Sequence, residues 1–318
     1  MTAYNAEAFI DEAIESVLQQ SFTDFEFIIV NDGSTDSTEK IIRSYSDPRI
    51  VLVNQKNKGI AAALNIGLQC AKADWIARFD ADDICYPQRL QRQYDFIKAN
   101  PGYIIVGTAA DYVDMNGQFI FTYLPPATTT NEINNLKFKL CPFIHSSVLY
   151  KKETVLQAGG YDVNTHGFED HFLWLKILNK GLSHNIAQPL MKVRLNPQSF
   201  TIDEKWQAKK FRSLKTKVLT EKKISPKQGE ELAYLLKEQN ITEVKEGAYY
   251  ALVGKKYLWN NYQPALAREN FINSWKIKPQ ISVAFLWILS FFPKVFIDAV
   301  YKIAKLQLVL FRIKTNNL

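Results

Sequence analysis

The sequence predicts an α/β fold over residues 1–200, a mostly parallel sheet flanked by helices, followed by a basic helical region over residues 201–318. Three observations carry this. Compact apolar runs alternate with helical periodicities through the first hundred residues, the pattern of repeated βαβ units. One such run, Trp75-Ile76-Ala77-Arg78-Phe79, ends directly in Asp80-Ala81-Asp82-Asp83, and open α/β sheets bind ligands beyond the carboxyl ends of their strands. Past about Thr201 the pattern turns helical and Lys-rich.

The elements follow in order. Ile10, Ala13, Ile14, Val17 and Leu18 recur at helical spacing, with acids at Glu7, Asp11, Glu12 and Glu15, and predict a first helix. Residues 25–30 are a compact apolar run and read as a buried strand. Asp36 with Glu39 three residues on resembles a helix start, and Ile41, Ile42 and Tyr45 supply its apolar face. A strand over 50–53, a small-residue helix over 59–71, a strand over 75–79 and a helix over 87–99 come next. A strand is expected before the first helix, since doubly wound sheets open with one. Only Met1-Thr2-Ala3-Tyr4-Asn5 stands there, so the chain is expected to begin inside or at the end of that strand, through a truncated or misassigned start.

A chain of 318 residues can bury a full core and support two domains. Its 47% apolar and 22% charged residues are ordinary globular usage. The charge is unevenly spread: residues 1–200 hold 18 Lys and Arg against 22 Asp and Glu, whereas residues 201–318 hold 21 against 10. A near-neutral body with a basic appendage calls for an anionic partner, and charge alone fits nucleic acid or a membrane surface equally. Cys70, Cys85 and Cys141 form no CxxC pair, which points to a reducing compartment and away from a structural zinc site. No signal peptide is expected. The apolar run over 281–292 is interrupted by serines and stopped by Pro293, too short for a membrane span.

The chemistry-bearing motifs can be read from their residue types. Adjacent carboxylates at 80, 82 and 83 raise one another's pKa, but a divalent cation and a diphosphate would turn that crowding to use; the same residues also read as an acidic loop before a helix. Asp32, just past a strand end, can accept from the N3–H of a uracil ring, with Gly33 allowing a tight turn. It equally reads as an Asx turn. Glu169-Asp170, ahead of Leu173, Trp174 and Ile177, offer a base for deprotonating a hydroxyl, or simply two acids at a helix N-terminus.

Taken together, Thr2-Ala3-Tyr4-Asn5-Ala6-Glu7, Val30-Asn31-Asp32-Gly33-Ser34-Thr35-Asp36, Asn57-Lys58-Gly59 with Leu64-Asn65, Arg78-Phe79-Asp80-Ala81-Asp82-Asp83 and Glu169-Asp170 resemble family 2 glycosyltransferases in order and spacing. The resemblance covers roughly residues 1–200 and implies a GT-A fold. It implies that Thr2, Ala3, Tyr4, Asp32, Asn57, Gly59, Arg78, Asp80 and Ala81 bind the nucleotide-sugar, with Asp32 on the base, Tyr4 packed against it and Asp80 near the ribose. Asp82, with Asp80, would hold Mn²⁺ or Mg²⁺ at the diphosphate. Asp170 would be the catalytic base and Glu169 would orient the acceptor or the local backbone. His145 is a candidate near the acceptor or diphosphate, Arg194 a candidate phosphate partner, and Asp83 a helix cap. Where the family commonly shows Arg-x-His, this chain has Arg194-Leu195-Asn196, which leaves a third protein ligand for the metal open.

The last third predicts a Lys-rich helix over 205–223 and two further helical stretches over 233–261. Residues 257–279 resemble one helix-turn-helix unit of tetratricopeptide type, expected to act as a helical appendage. The closing segment 281–318 interleaves Lys294, Lys302, Lys305, Arg312 and Lys314 with aromatic and aliphatic residues. Such a helix can lie in an anionic membrane surface or cover a groove of the catalytic domain. No recognised nucleic-acid module accompanies the charge, so nucleic acid is not expected.

The function expected is an inverting, metal-dependent transfer of a sugar from a UDP-sugar to a glycan or lipid-linked acceptor, in cell-surface polysaccharide synthesis. The expected location is cytoplasmic, peripheral on the inner face of a bacterial plasma membrane. The rival readings are a sugar nucleotidyltransferase, whose Gly-rich N-terminal loop has no match here, and a non-catalytic nucleotide-sugar-binding protein.

Overall fold

The computed structural model describes residues 1–197, 208–239 and 242–303. Its opening half is the expected alternation: β1 (Thr2–Ala3), α1 (Ile10–Leu18), β2 (Phe27–Asn31), α2 (Thr38–Arg43), β3 (Ile50–Asn54), α3 (Ile60–Cys70), β4 (Trp75–Ala77), β5 (Ile84–Cys85) and α4 (Arg89–Ala99). β1, β2 and β3 pair in parallel in that order, and Thr2 also bridges Asp80 in parallel. Ile10, Ala13, Ile14 and Val17 bury the apolar stripe of α1. Ala61 and Ala63 let α3 lie close to β1 and β2.

Next come β6 (Tyr103–Val113), β7 (Phe119–Tyr123), α5 (Thr130–Leu136), a 3₁₀ turn (His145–Ser147), β8 (Leu149–Lys151), α6 (Lys152–Leu156), α7 (Glu169–Ile177) and β9 (Leu182–Arg194). A second sheet runs β4-β8-β6-β9-β5, with β7 on β6. Its pairs β4–β8, β5–β9 and β6–β8 are antiparallel, so parallel pairing marks the first half of the unit and antiparallel returns the second. One core cluster joins Ala3, Ile10, Ile14, Ile29, Phe79, Ala81 and Met191. Another packs α3 and α7 through Leu64, Leu68, Tyr150, Tyr161, Leu173 and Trp174.

The C-terminal region contains α8 (Lys209–Glu221), α9 (Pro226–Gln239), α10 (Thr242–Trp259), α11 (Pro264–Ile277) and α12 (Ile281–Leu289). The chain divides into two compact units, and they do not follow a cut at residue 200. The first comprises Met1–Tyr112, Thr122–Arg194 and Ala208–Glu238, so α8 and α9 belong with the sheets. The second takes Val113–Phe121 and the described parts of Leu195–Gln207 and Gln239–Leu318. Within it α10 and α11 pack closely: a Cβ on Gly254 would come within 2.6 Å of the buried Phe271 ring. Of the segment 281–318, residues 304–318 lie outside the described residues, as do 205–207 of the expected basic helix. Among the described residues no helix is long and apolar enough to cross a membrane.

Candidate active site

The carboxyl ends of β1, β2 and β4 converge. Thr2 lies between Val30 on β2 and Asp80 beyond β4, which sets the loops after all three strands side by side. The loop after β1 is latched to the loop after β2: Asn5 N–H donates to Ser34 Oγ at 3.0 Å, Thr35 N–H to Asn5 Oδ1 at 2.8 Å, and Ala6 N–H to Thr38 Oγ1 at 2.8 Å. Tyr4, on this loop, is 51% exposed. It is an available aromatic face and not core.

Asp32 is buried, and its carboxylate closes the loop ahead of α3. Gln55 Nε2 donates to Oδ1 at 2.6 Å, Lys58 N–H to Oδ1 at 2.9 Å and Gly59 N–H to Oδ2 at 2.9 Å. A carboxylate has about four acceptor positions, so one on Oδ2 is left for a ligand. Gly33 at φ +72° is required here: a Cβ would stand 2.7 Å from the Asn57 amide nitrogen. Asn57 and Gly59 are exposed on this loop, whereas Ala81 is buried in the core and holds the acid loop in place instead of facing a ligand.

Beyond β4, carboxylate oxygens of Asp80, Asp82 and Asp83 lie within 4.8 Å of one another. Burial and the charge of Asp80 push Asp82 up to about 6, and burial with both neighbouring carboxylates raises Asp83 further. Three hard oxygen donors crowded at this cost match the chemistry of a Mn²⁺ or Mg²⁺ site. Arg78, buried, pairs with Asp80. Arg89, also buried, donates to the Arg78 carbonyl at 2.7 Å and stacks on Phe79, which anchors the strand end from below.

Two expectations about this loop are corrected. Asp83 caps no helix: α4 starts at Arg89 behind Gln88 without a side-chain cap, and Asp83 Oδ1 instead accepts the Arg194 N–H at 3.0 Å. Arg194 does not stand ready for a phosphate. It is buried, bonds Glu12 Oε2 at 2.7 Å and the Asp82 carbonyl at 3.1 Å, and lies 4.6 Å over the Phe9 ring. It therefore braces the acid loop from behind.

The acid pair opens α7, as its helix-start position requires. Glu169 is 7% exposed and its Oε2 has no hydrogen-bond partner; burial and the charge of Asp170 push it up to about 7. Asp170 Oδ1 accepts the His171 N–H at 2.6 Å, and Oδ2 accepts the Cys141 thiol at 3.3 Å. His145 shares a hydrogen bond with Tyr161 Oη at 3.1 Å. Burial and the Arg78 charge hold it well below the usual histidine range, so it is neutral. Asn65 clamps the neighbouring backbone, donating to the Tyr161 carbonyl and accepting the Tyr161 N–H. The structure thus joins Asp80, Arg78, His145 and Glu169 electrostatically around one region.

Sequence reasoning missed Gln55, Arg89, Cys141 and Glu12. Gln55 lay beside a recognised motif; the others act across long sequence separations that no local pattern signals.

Residues 1–157 match the family described as Glycosyl transferase family 2. The chain is similar to the O-antigen biosynthesis glycosyltransferase WbnJ of Escherichia coli, 33% identical over 208 residues, covering 63% of this chain and 79% of WbnJ. It is also similar to the amylovoran biosynthesis glycosyltransferase AmsE of Erwinia amylovora, 31% identical over 189 residues, 58% of this chain and 70% of AmsE. In fold it resembles S. aureus TarS 1–349 in complex with UDP, with a TM-score of 0.54 at 16% identity, over 86% of this chain and 87% of that one. The mannosyltransferase PcManGT of Pyrobaculum calidifontis, in complex with GDP-Man and Mn²⁺, aligns with a TM-score of 0.51 at 16% identity, over 94% and 84%.

Proposed function

The chain belongs to glycosyl transferase family 2 and is a glycosyltransferase, and on that premise we propose an inverting transfer of a sugar from a UDP-sugar to a glycan or lipid-linked acceptor in cell-surface polysaccharide synthesis. The observation that carries the reading is the convergence of Asp32, the Asp80–Asp82–Asp83 cluster and the Glu169–Asp170 pair on one unit. The names of WbnJ and AmsE support the biosynthetic setting, and UDP in TarS supports the nucleotide.

Each residue has a physical task. The remaining acceptor position of Asp32 takes the N3–H of the base, and exposed Tyr4 stacks on its ring. Thr2 and Ala3 shape the floor beside it. Arg78 holds Asp80 toward the ribose. Asp82 and Asp80 hold a Mn²⁺ or Mg²⁺, which when bound neutralises charge on the departing diphosphate. Asp170 takes the proton of the acceptor hydroxyl as it attacks the anomeric carbon, and Cys141 steers the carboxylate by donating to Oδ2. Glu169, poised between its charged and neutral forms near pH 7, can accept from or donate to an acceptor hydroxyl. His145, neutral and tied to Tyr161, supports the acceptor side without carrying charge.

The described part of the closing segment supports a peripheral membrane location on the cytoplasmic face. Ile281, Phe285, Ile288, Phe291, Phe292, Val295 and Phe296 are exposed, from 43% to 89%, and Lys294 and Lys302 stand among them. Apolar side chains flanked by lysines suit an anionic interface.

A UDP-release assay with a panel of UDP-sugars tests the activity, run on wild type and Asp170→Asn. Acceptor-dependent release should fall about 100-fold or more in the variant, the usual scale of general-base loss, with UDP affinity retained. Near-normal turnover by Asp170→Asn would remove the base assignment.

A further inference from the structure

The acid pair of α7 has cationic neighbours that donor chemistry does not use. α8 packs against α7, and its buried Phe211 meets Phe168 edge-on with ring centres 6.4 Å apart. One turn on, Lys215 Nζ lies 5.7 Å from the centre of the same Phe168 ring. Its charge also reaches Cys141, the thiol that donates to Asp170. Lys222 follows seven residues later, two helical turns, and so continues the face that carries Lys215. Its Nζ lies 5.6 Å from the Phe138 ring.

Lys137 brings a second ammonium to 5.9 Å from that ring. Its carbonyl is hydrogen-bonded to His171 Nε2 at 2.6 Å, which ties it to the residue after Asp170. All three lysines are half-buried. Elsewhere on α8 the charges are offset: Lys210 pairs with Glu231 and Lys217 with Glu221.

Two ammoniums sharing one phenyl ring repel. Burial and the Lys222 charge together push Lys137 below the ordinary lysine range. A single ring face cannot offset both cations, whereas an anion between them would. Lysine, a compact point charge on a flexible stem, suits a group that presents oxygens in several directions. A phosphate carries about −1.5 to −2 charge at neutral pH and matches paired ammoniums better than a single carboxylate does.

We infer that Lys137, Lys215 and Lys222 form an anion subsite on the acceptor side of Asp170, and that the acceptor carries a phosphate or diphosphate group. This rests on the reading of Asp170 as the base.

The test is calorimetry on the full chain with two probes: sodium pyrophosphate in EDTA, which keeps metal from the donor site, and UDP with Mn²⁺. Wild type is compared with the triple variant K137A/K215A/K222A and with its charge-preserving counterpart K137R/K215R/K222R. Pyrophosphate should bind the alanine variant at least tenfold more weakly and the arginine variant within about threefold of wild type. UDP with Mn²⁺ should bind all three alike. Farnesyl diphosphate binding more tightly than pyrophosphate would place the phosphate on a lipid-linked acceptor, and equal binding on a soluble one. Equal pyrophosphate affinity in wild type and the alanine variant would overturn the subsite. So would displacement of pyrophosphate by equimolar glucuronate. Failure of wild type to bind UDP with Mn²⁺ would strike the donor reading instead, and so is distinguishable.

Discussion

Replacing Glu169 by Gln removes a carboxyl group that folding buries without a full set of partners. The side chain is 7% exposed, its Oε2 has no hydrogen-bond partner, and burial with the Asp170 charge lifts its pKa from the usual 4.5 to about 7. A folded-state pKa above the unfolded one means that the folded chain holds the extra proton. The associated stability is therefore present in full below about pH 4.5 and is lost as the pH rises through 7. A rise of this size corresponds to on the order of 3 kcal/mol. Glutamine keeps the shape and cannot ionise, so Glu169→Gln should match wild type near pH 4.5 and exceed it at pH 8.5 by up to that amount. In a unit of this size each kcal/mol moves Tm by about 2–4 °C, giving a gain of roughly 6–12 °C at most. Circular-dichroism melts of both proteins from pH 4.5 to 8.5 read the difference. A Tm difference that stays constant across that range would refute the claim that burial holds this carboxyl neutral.

Gly33→Ala should destabilise the first unit by about 1–3 kcal/mol, because the new methyl meets the Asn57 amide at 2.7 Å in a positive-φ conformation; an unchanged denaturant midpoint would contradict the tight turn. The same variant should weaken UDP binding, since it displaces the loop that Asp32 clamps, and calorimetry checks this. The triple substitution Phe285→Glu, Ile288→Glu and Phe292→Glu should cut co-sedimentation with anionic vesicles by tenfold or more. Each buried apolar side chain contributes roughly 1.5–3 kcal/mol, and undiminished sedimentation would remove the membrane face.

Much of the first unit was legible because its local rules agree with its fold. The 3.6-residue spacing of Ile10, Ala13, Ile14 and Val17 became α1 with those residues buried, and the apolar run at 25–30 became β2 one or two residues on. The strands β6 and β9 were not read. β6 is buried along most of its length and so shows no alternation, and it carries Gly107 and a run of alanines. β9 contains Pro189 and buries Ser183 and Asn185, against the usual strand signals.

At the site, residue types located the acids but not their partners. Arg194 meets Glu12 across 182 residues of sequence, and Asp83 receives its N–H donor from the far end of β9. Such pairings follow from topology, which brings β9 beside β5, and a local motif cannot encode them. Asp36 shows the same limit on a small scale. It does accept the Thr38 N–H, but it also takes the Glu7 N–H, so the acid expected to start a helix also joins two loops.

The donor site is the central claim, and UDP binding by calorimetry tests it most directly, with and without Mn²⁺, on wild type and Asp82→Ala. Wild type should bind UDP at least tenfold more tightly with Mn²⁺ than without, and Asp82→Ala should lose that gain while keeping its metal-free affinity. Mn²⁺-dependent affinity that is the same in both proteins would contradict the assignment of the acid cluster after β4.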